Sequence, residues 1–281
     1  MKTVAFCFVV FALAPISFAT AQPVEVAPGV LQLGTIQNPQ IVEGSGLISS
    51  RRARGFFWTH NDGGAATLFS IAADGGGTTG YPVENVELQD WEDVALAGGR
   101  LYIADIGNNT GSRNRVDVYA VAEPNPRRPR EVRSIKRWTL DYPGQPFDAE
   151  SFFISRGHGY VIEKESGNAH VYRFKLSGKA EADLDEQCEL NVGAPVAGAD
   201  ITSDSRRLAV ITREGAYLFM LKGKVPADGT LDPALFVPFS HEQMEGCCFT
   251  RNGLLVTAED GGVYLFTAPQ FQLRSGARVL P

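Results

Sequence analysis

The chain has 281 residues, of which 44 % are hydrophobic and 21 % charged, so it can bury a core and disorder is excluded as its main state. A formal net charge of −6 at pH 7 argues against a nucleic-acid partner, which would require a basic face. Thirty glycines and sixteen prolines predict many tight turns and therefore many short strands.

Residues 1–21 have the pattern of a secretion signal. Lys2 gives a positive start, Val4 to Ala14 form a short apolar stretch, and Ala19-Thr20-Ala21 matches the small-x-small rule for cleavage. An uncleaved membrane anchor is the alternative, but the stretch is short for a span and Pro15 interrupts it. We therefore expect a secreted or periplasmic protein that begins at Gln22 and has no membrane segment after cleavage.

Three cysteines remain after cleavage, Cys188, Cys247 and Cys248, which is an odd number for an exported protein. One pair could form a disulfide, although a bond between the adjacent residues would be strained. The alternative that we favour is three buried thiols, because free cysteine packs as a small hydrophobic side chain.

Five segments of the mature chain repeat one pattern, in which an acidic residue precedes a short apolar strand, a turn and a second apolar strand. The intervals between successive starts are 49, 58, 50 and 45 residues. The starting acids are Glu43, Glu92, Glu150, Asp200 and Glu245.

Further strands are predicted after each start, separated by turn residues. The second strands are Phe56–Trp58, Leu101–Ile103, Tyr160–Ile162, Leu208–Ile211 and Leu254–Val256. The third strands are Leu68–Ile71, Val116–Val121, Val171–Leu176, Tyr217–Leu221 and Val263–Phe266. The fourth strands are Val83–Leu88, Arg137–Leu140, Cys188–Val192 and Leu235–Phe239.

Four short strands at such a period are typical of the blades of a β-propeller. We predict an all-β fold, with residues 22–281 forming a single β-propeller of four-stranded antiparallel blades, five blades being favoured over six. The last repeat has no room for a fourth strand, and Val30–Leu33 could supply it from the N-terminal side. Such closure would remove exposed sheet edges.

The starting acids are predicted to meet at one mouth of the central channel, because the first strand of each blade lines that channel. The turn between strands two and three returns to the same end, 13 or 14 residues later in four of the repeats. A second polar ring is therefore expected around the first, formed by His60, Asn61, Asp62, Asp105, Asn108, Asn109, Glu163, Lys164, Arg213, Glu259 and Asp260.

Converging like charges must take up protons or a cation. Calcium suits such a site, because it takes roughly six to eight oxygen ligands from carboxylates, amides and water. We therefore predict Ca²⁺ at the mouth. The alternative is that each acid caps its own strand by accepting backbone N–H bonds, with no metal. The predicted metal ligands are Glu43, Glu92, Glu150, Asp200, Glu245, Asn61 and Asn108.

Catalytic roles are predicted for His60, which could act as a general base near neutral pH, and for the rim acids Asp62 and Asp105. The alternative for His60 is a surface histidine without a role. Lys164 and Arg213 suit a phosphate or carboxylate on a small anionic molecule, or they pair with neighbouring rim acids.

Trp91 lies in the densest acidic segment, Asp90-Trp91-Glu92-Asp93. It could bind substrate by stacking on a sugar or aromatic ring at the mouth. The alternative that we favour is an indole wedged between two blades.

Several motifs resemble those of secreted bacterial propellers of the phytase-like and gluconolactonase-like group. The layout is also similar to that of calcium-activated apyrases, which implies five blades and an axial calcium held by Glu43 or Ser45, Glu92, Glu150 and Glu245. Asp200 stands where the apyrase pattern has a serine. The motifs are Glu43-Gly44-Ser45-Gly46-Leu47, Trp58-Thr59-His60-Asn61-Asp62-x-Gly64, Asp90-Trp91-Glu92-Asp93, Asp105-Ile106-Gly107-Asn108-Asn109 and Glu123-Pro124.

Two functions are therefore carried forward. The resemblance implies a metal-dependent hydrolase of a small phosphoester or lactone, in which the ion polarises the substrate and activates water. The alternative is a non-catalytic binding or scaffolding propeller with a structural metal. An open coordination position would favour catalysis, and a closed cage would favour structure. We expect a monomer in either case.

Overall fold

The computed structural model describes residues 22–165 and 167–273, so the predicted signal sequence lies outside the described residues. Apart from a 3₁₀ turn at Pro269–Phe271, every regular element of the described residues is a strand, and none of these residues forms a helix long and apolar enough to cross a membrane. In chain order the strands are β1 (Val24–Ala27), β2 (Val30–Thr35), β3 (Gly44–Ser49), β4 (Phe56–Asn61), β5 (Thr67–Ala72), β6 (Thr79–Glu84), β7 (Trp91–Ala97), β8 (Arg100–Asp105), β9 (Arg115–Ala122), β10 (Val132–Asp141), β11 (Ala149–Ser155), β12 (His158–Glu163), β13 (Gly167–Lys175), β14 (Glu181–Asp183), β15 (Asp185–Val192), β16 (Val196–Ile201), β17 (Arg207–Thr212), β18 (Gly215–Met220), β19 (Thr230–Leu231), β20 (Leu235–Pro238), β21 (Met244–Phe249), β22 (Leu254–Ala258) and β23 (Gly262–Phe266).

Strand pairing groups most of these strands into antiparallel units that run outward from a central channel. In chain order the units are β3-β4-β5-β6, β7-β8-β9-β10, β11-β12-β13-β15, β16-β17-β18-β20 and β21-β22-β23-β2-β1, which we number one to five. The inner strands β3, β7, β11, β16 and β21 contact one another in a closed ring. The predicted all-β propeller with antiparallel blades is confirmed.

Two contacts between distant parts of the chain tie the ring together. Strand β2 pairs with β23, with Val30 opposite Phe266, and so supplies the fourth strand of unit five. The outer strands of units one and two, β6 and β10, pair in parallel through Val83 and Val132, which joins two units into one sheet.

The core lies between neighbouring units, which explains why the inner strands carry apolar residues on both faces. Strand β8 illustrates this arrangement. Leu101 and Ile103 pack into the cluster shared with unit one, whereas Tyr102 and Ala104 pack into the cluster shared with unit three. Alternate residues of one strand therefore fill two different cores.

Four inner strands carry a β-bulge at the same place. The register shifts around Glu92 in β7, Glu150 in β11, Ala197 in β16 and Glu245 in β21. A bulge leaves one residue unpaired and redirects its side chain. The bulge position of unit four is thus Ala197, and Asp200 lies three residues farther along the strand.

One outer strand differs from the sequence prediction. Strand β6 ends at Glu84, whereas the fourth strand of the first repeat was expected over Val83–Leu88. Asn85 adopts a left-handed backbone with φ of 59°, which ends the extended conformation there.

The three cysteines of the described residues are free and buried. Cys247 and Cys248 are neighbours on β21 and pack into different core clusters, so their thiols lie on opposite faces of the strand. Burial raises the pKa of Cys188 to about 12. The described structure therefore agrees with the interpretation of these residues as thiols packed in the core.

We predict that removal of residues 22–35 destabilises the protein by about 4 kcal/mol, because β23 loses its partner and the burial of Val30, Leu31 and Leu33 is lost. Removal of residues 22–27 alone takes only β1, where Val24 is 59 % exposed, and should cost much less. Chemical unfolding of both variants measures the difference. Equal losses would show that β2 does not close the ring.

Candidate functional site

Seven carboxylates, here called the mouth cluster, converge where inner strands begin. Three of them directly precede an inner strand, three occupy bulge positions, and one follows β4. Electrostatic interactions link them across units one, two, three and five. The mouth cluster consists of Glu43, Asp90 and Asp148 before the strands, Glu92, Glu150 and Glu245 at the bulges, and Asp62.

Backbone hydrogen bonds fix the loops that carry these acids. The Asp62 N–H donates to Glu43 O over 3.1 Å, and the Trp91 N–H donates to Asp62 O over 3.0 Å, which joins unit one to unit two. The Asn108 N–H donates to Asp148 Oδ1 over 2.6 Å, which joins unit two to unit three. The carboxylates therefore cannot simply separate to relieve their repulsion.

Burial and mutual repulsion raise the pKa values of five carboxyl groups of the mouth cluster, those of Asp62, Asp90, Glu92, Glu150 and Glu245. The pKa of Glu92 is raised to about 10, first by burial and then by the charges of Glu150 and Asp90. The pKa of Glu245 is raised to about 8 and that of Asp62 to about 6, again chiefly by burial. At neutral pH the cluster must therefore hold protons or a cation.

Lys164 supplies an internal ammonium at the mouth. Its Nζ forms an ion pair with Glu150 and lies 3.7 Å from Asp148 Oδ2 and 3.4 Å from Asn109 Oδ1. Burial lowers the pKa of Lys164, but the hydrogen bond and charge of Glu150 outweigh this effect and leave the pKa raised. The charge of the Arg113 guanidinium also acts on Asp90, so two cations face seven carboxyl groups and do not balance them.

Two further observations fit a cation at this mouth. Asp62 Oδ1 is buried without a hydrogen-bond partner. A Cβ on Gly107 would overlap Glu92 Oε1 and Asp90 Cγ, so glycine is required for both carboxylates to reach this position. In the described conformation no three His, Cys, Asp or Glu side chains of residues 22–165 and 167–273 are arranged to hold a metal, so a bound ion would require these side chains to move closer together.

The two amides predicted as ligands, Asn61 and Asn108, form hydrogen bonds within loops. Asn61 Oδ1 accepts from the Val42 N–H over 3.2 Å, and its Nδ2 donates to Gln40 O over 2.8 Å. Asn108 Oδ1 accepts from the Arg113 N–H over 2.9 Å, and its Nδ2 donates to Arg113 O over 3.1 Å. Both amide groups therefore position the acid-bearing segments.

Asp200 does not join the mouth cluster. Its carboxylate accepts from the Ile201 N–H and, across to the next inner strand, from the Phe249 N–H, both over 2.8 Å. Asp93 makes the same kind of bond to the Phe152 N–H over 2.9 Å. Burial raises the pKa of Asp200 to about 7. These two aspartates link neighbouring inner strands through the backbone, which is close to the strand-capping alternative.

His60 and Trp91 lie in the core rather than at the rim. Both are fully buried, and their rings meet edge to face with centroids 5.5 Å apart. Burial lowers the pKa of His60 to about 4, so the imidazole is neutral at pH 7 but shielded from solvent. Trp91 packs with Trp58 and Tyr119 between units one and two, which is the wedge position.

Asp105 and Arg213 were both predicted at the rim, but their surroundings differ. Asp105 is fully buried, pairs with Arg113 over 2.8 Å, and accepts from the Asp90 N–H over 3.2 Å, so it positions a member of the cluster. Arg213 is exposed directly after β17, the place that Lys164 occupies after β12. No ion pair to Arg213 occurs among the described residues, and the bulge of its own unit carries no acid.

Asp90 and Asp148 are members of the cluster that the predicted ligand set omits. A spacing in the sequence could have found them, because Asp90 and Glu92 repeat as Asp148 and Glu150, each pair separated by one residue. In both pairs the aspartate directly precedes the inner strand and the glutamate occupies its bulge.

No family model and no curated protein matches this chain. The major allergen Mala s 1 of Malassezia sympodialis is similar in structure, with a TM-score of 0.51 and 10 % identity over 88 % of this chain and 80 % of that one. A nidogen/laminin complex gives a TM-score of 0.46 with 12 % identity, covering 76 % and 72 % of the two chains. YCF48 from Cyanidioschyzon merolae gives 0.44 with 13 % identity, covering 82 % and 68 %. The likeness to Mala s 1 concerns the fold alone.

We predict that stability in chelator falls as the pH rises from 5 to 8. In the folded protein Glu245 keeps its proton up to about pH 8, whereas in the unfolded chain the carboxyl loses it near its ordinary pKa of 4.5. The free energy of unfolding therefore decreases as the pH rises between these two values. Glu245→Gln should raise the free energy of unfolding at pH 8 by about 1 kcal/mol, allowing for solvent screening, and flatten the profile.

Thermal and chemical unfolding across this pH range measures the effect. Glu181→Gln, which removes the charge of an exposed carboxylate far from the mouth, is the matched control and should keep the wild-type slope. A Glu245→Gln profile that parallels the wild type would show that repulsion at the mouth is relieved in another way.

Proposed function

We propose that the protein is an exported, non-catalytic β-propeller that binds a divalent cation, Ca²⁺, at the mouth cluster. The observation that carries this proposal is the imbalance between seven converging carboxyl groups and the two cations that act on them, Lys164 and Arg113. Oxygen donors from carboxylates are the ligands that calcium prefers. The resemblance to calcium-dependent propellers supports the same ion.

Glu92, Asp90 and Asp62 are the residues best suited to hold the ion, with Glu245 completing the set. Glu92 has the most strongly raised pKa of the three bulge glutamates, and the carboxylates of Glu92 and Asp90 come together in the space that a side chain at Gly107 would fill. Bound calcium would neutralise repulsion between loops of different units. The loops that carry these side chains are already held by backbone bonds, so the chain presents them from fixed positions.

The binding role is preferred to the hydrolase because only one of the three predicted catalytic residues, Asp62, belongs to the mouth cluster. His60 is shielded in the core, and Asp105 is paired with Arg113. Lys164 pairs with Glu150, which leaves Arg213 as the predicted substrate-binding cation that no described acid engages. The signal-like pattern of residues 1–21 supports export.

Calorimetric titration of calcium into chelator-treated mature protein tests the proposal. Binding should raise the free energy of unfolding by about 2.7 kcal/mol at a calcium concentration one hundred times the dissociation constant. Glu92→Gln combined with Glu150→Gln should abolish both effects. The control pair Glu84→Gln and Glu181→Gln removes two exposed carboxylates from the flanks of the units and should retain them. The absence of binding at millimolar calcium would overturn the metal site.

A substitution of Lys164 distinguishes a specific calcium site from an acidic surface that binds no particular ion. Lys164→Gln should lower stability in chelator, because Glu150 loses its partner, and should tighten calcium binding about tenfold, because the site becomes more negative. Lys179→Gln, which removes an exposed ammonium from another turn, is the control. Unchanged or weaker calcium binding in Lys164→Gln would contradict the proposal.

The same preparations distinguish binding from catalysis. We expect no calcium-dependent turnover of small phosphoesters or lactones by the wild-type protein. Hydrolysis that requires calcium and is lost in the Glu92→Gln and Glu150→Gln variant would favour the metal-dependent hydrolase instead.

A further inference from the structure

The face opposite the mouth carries a different charge. Inner strands begin at the mouth, so the turn between the first and second strand of each unit lies at the other end, here called the far face. An exposed arginine occurs in or directly after this turn in every described unit: Arg51 in unit one, Arg100 in unit two, Arg156 in unit three, Arg206 in unit four and Arg251 in unit five.

Acidic side chains are scarce in these turns. Residues 50–55, 98–99, 156–157, 202–206 and 250–253 contain one acid, Asp204. Its Oδ1 accepts from Thr202 Oγ1 over 2.6 Å and from the Arg206 N–H over 3.1 Å, so this oxygen serves the turn itself. Basic side chains therefore predominate in the turns between the first and second strands, although the whole chain is acidic.

The densest part of the far face consists of two Arg-Arg-x-Arg segments, at residues 51–54 and 127–130, that are distant in sequence. Glu123, 1 % exposed, joins them. Its Oε1 accepts from Ser50 Oγ over 2.7 Å, from the Arg51 N–H over 2.9 Å and from Trp58 Nε1 over 3.2 Å. A buried carboxylate thus holds the first segment against the start of the second.

The second segment is also held in place. Arg127 Cζ lies 5.4 Å from the centre of the Phe56 ring, directly beside the first segment. Ser70 Oγ donates to Pro126 O over 3.1 Å, and the Tyr81 hydroxyl donates to Asn125 O over 2.9 Å. Six exposed arginines are therefore presented together, and none of them forms an ion pair with a described acid: Arg51, Arg52, Arg54, Arg127, Arg128 and Arg130.

We propose that the far face docks on an anionic phospholipid surface, with the acidic mouth directed away from it. The guanidinium group binds phosphate through two parallel hydrogen bonds, and clusters of roughly four to eight basic residues suit anionic lipid surfaces. The arginines extend around the ring as a two-dimensional patch, which matches a lipid surface better than the narrow stripe that a nucleic-acid duplex requires.

The opposite charges of the two ends also fix the orientation. An anionic surface attracts the arginine turns and repels the mouth cluster, so the channel axis is held across the lipid plane. This interaction does not depend on calcium at the mouth. It adds a peripheral membrane contact to the sequence expectation, which was that no membrane segment remains after cleavage.

Sedimentation with vesicles tests the docking surface. The mature protein should bind vesicles of 70 % phosphatidylcholine and 30 % phosphatidylglycerol at about 50 mM salt, and should bind them much more weakly at about 300 mM salt. It should not bind vesicles of pure phosphatidylcholine. Replacement of the six arginines by glutamine should weaken vesicle binding by about tenfold or more. The matched control replaces Arg115, Arg133 and Arg173, which are paired with acids on the flanks, and should bind like the wild type.

A three-arginine variant, Arg127→Gln with Arg128→Gln and Arg130→Gln, keeps the test decisive if the sixfold variant does not fold, and its loss should exceed that of the control. No binding to anionic vesicles at low salt, or equal binding by the wild type and the arginine variants, would overturn the proposal. Binding to duplex DNA or to heparin without binding to vesicles would overturn the choice of lipid.

Discussion

The β-bulge of the inner strands is the constraint on which the mouth depends. It inserts one residue at the same level of four units, and in three of them that residue is glutamate: Glu92, Glu150 and Glu245. Because these carboxylates converge at the mouth, like charges are brought together in a partly buried site. Lys164, the loops held by backbone bonds and the missing side chain at Gly107 all accommodate that concentration of charge.

Unit four breaks the pattern and gives the mouth an asymmetric shape. Its inner strand begins Val196-Ala197, without an acid, and Arg213 follows its second strand. The acids of the mouth cluster therefore come from four of the five described units, and the acid of the unit-four turn, Glu214, stands beside Arg213 instead. Asp200 supplies the carboxylate of this unit deeper in the ring, where it bonds to the backbone of β21.

The sequence predicted the repeat, the antiparallel blades and the glutamates of units two, three and five, because short apolar strands and a hairpin spacing of 13 or 14 residues are local patterns. It did not predict the alignment of unit four, since Asp200 resembles a starting acid and only strand pairing shows that Ala197 occupies the bulge. Nor could it place His60 and Asn61, whose burial and amide contacts depend on neighbouring units and on the segment before β3.

The parallel pairing of β6 with β10 has a consequence for self-association. The sheet formed by units one and two begins and ends on the channel strands β3 and β7. Its outer strand β10 pairs with β6 at Val132–Arg133 and with β14 at Thr139–Asp141, so only part of its outer backbone edge is open to another molecule. Long outer edges among the described strands remain at β1 and β20, which flank an apolar groove containing Val26 and Phe236. Edge-to-edge strand addition is therefore expected first at the junction of units four and five, where two strand edges without an outer partner flank one groove.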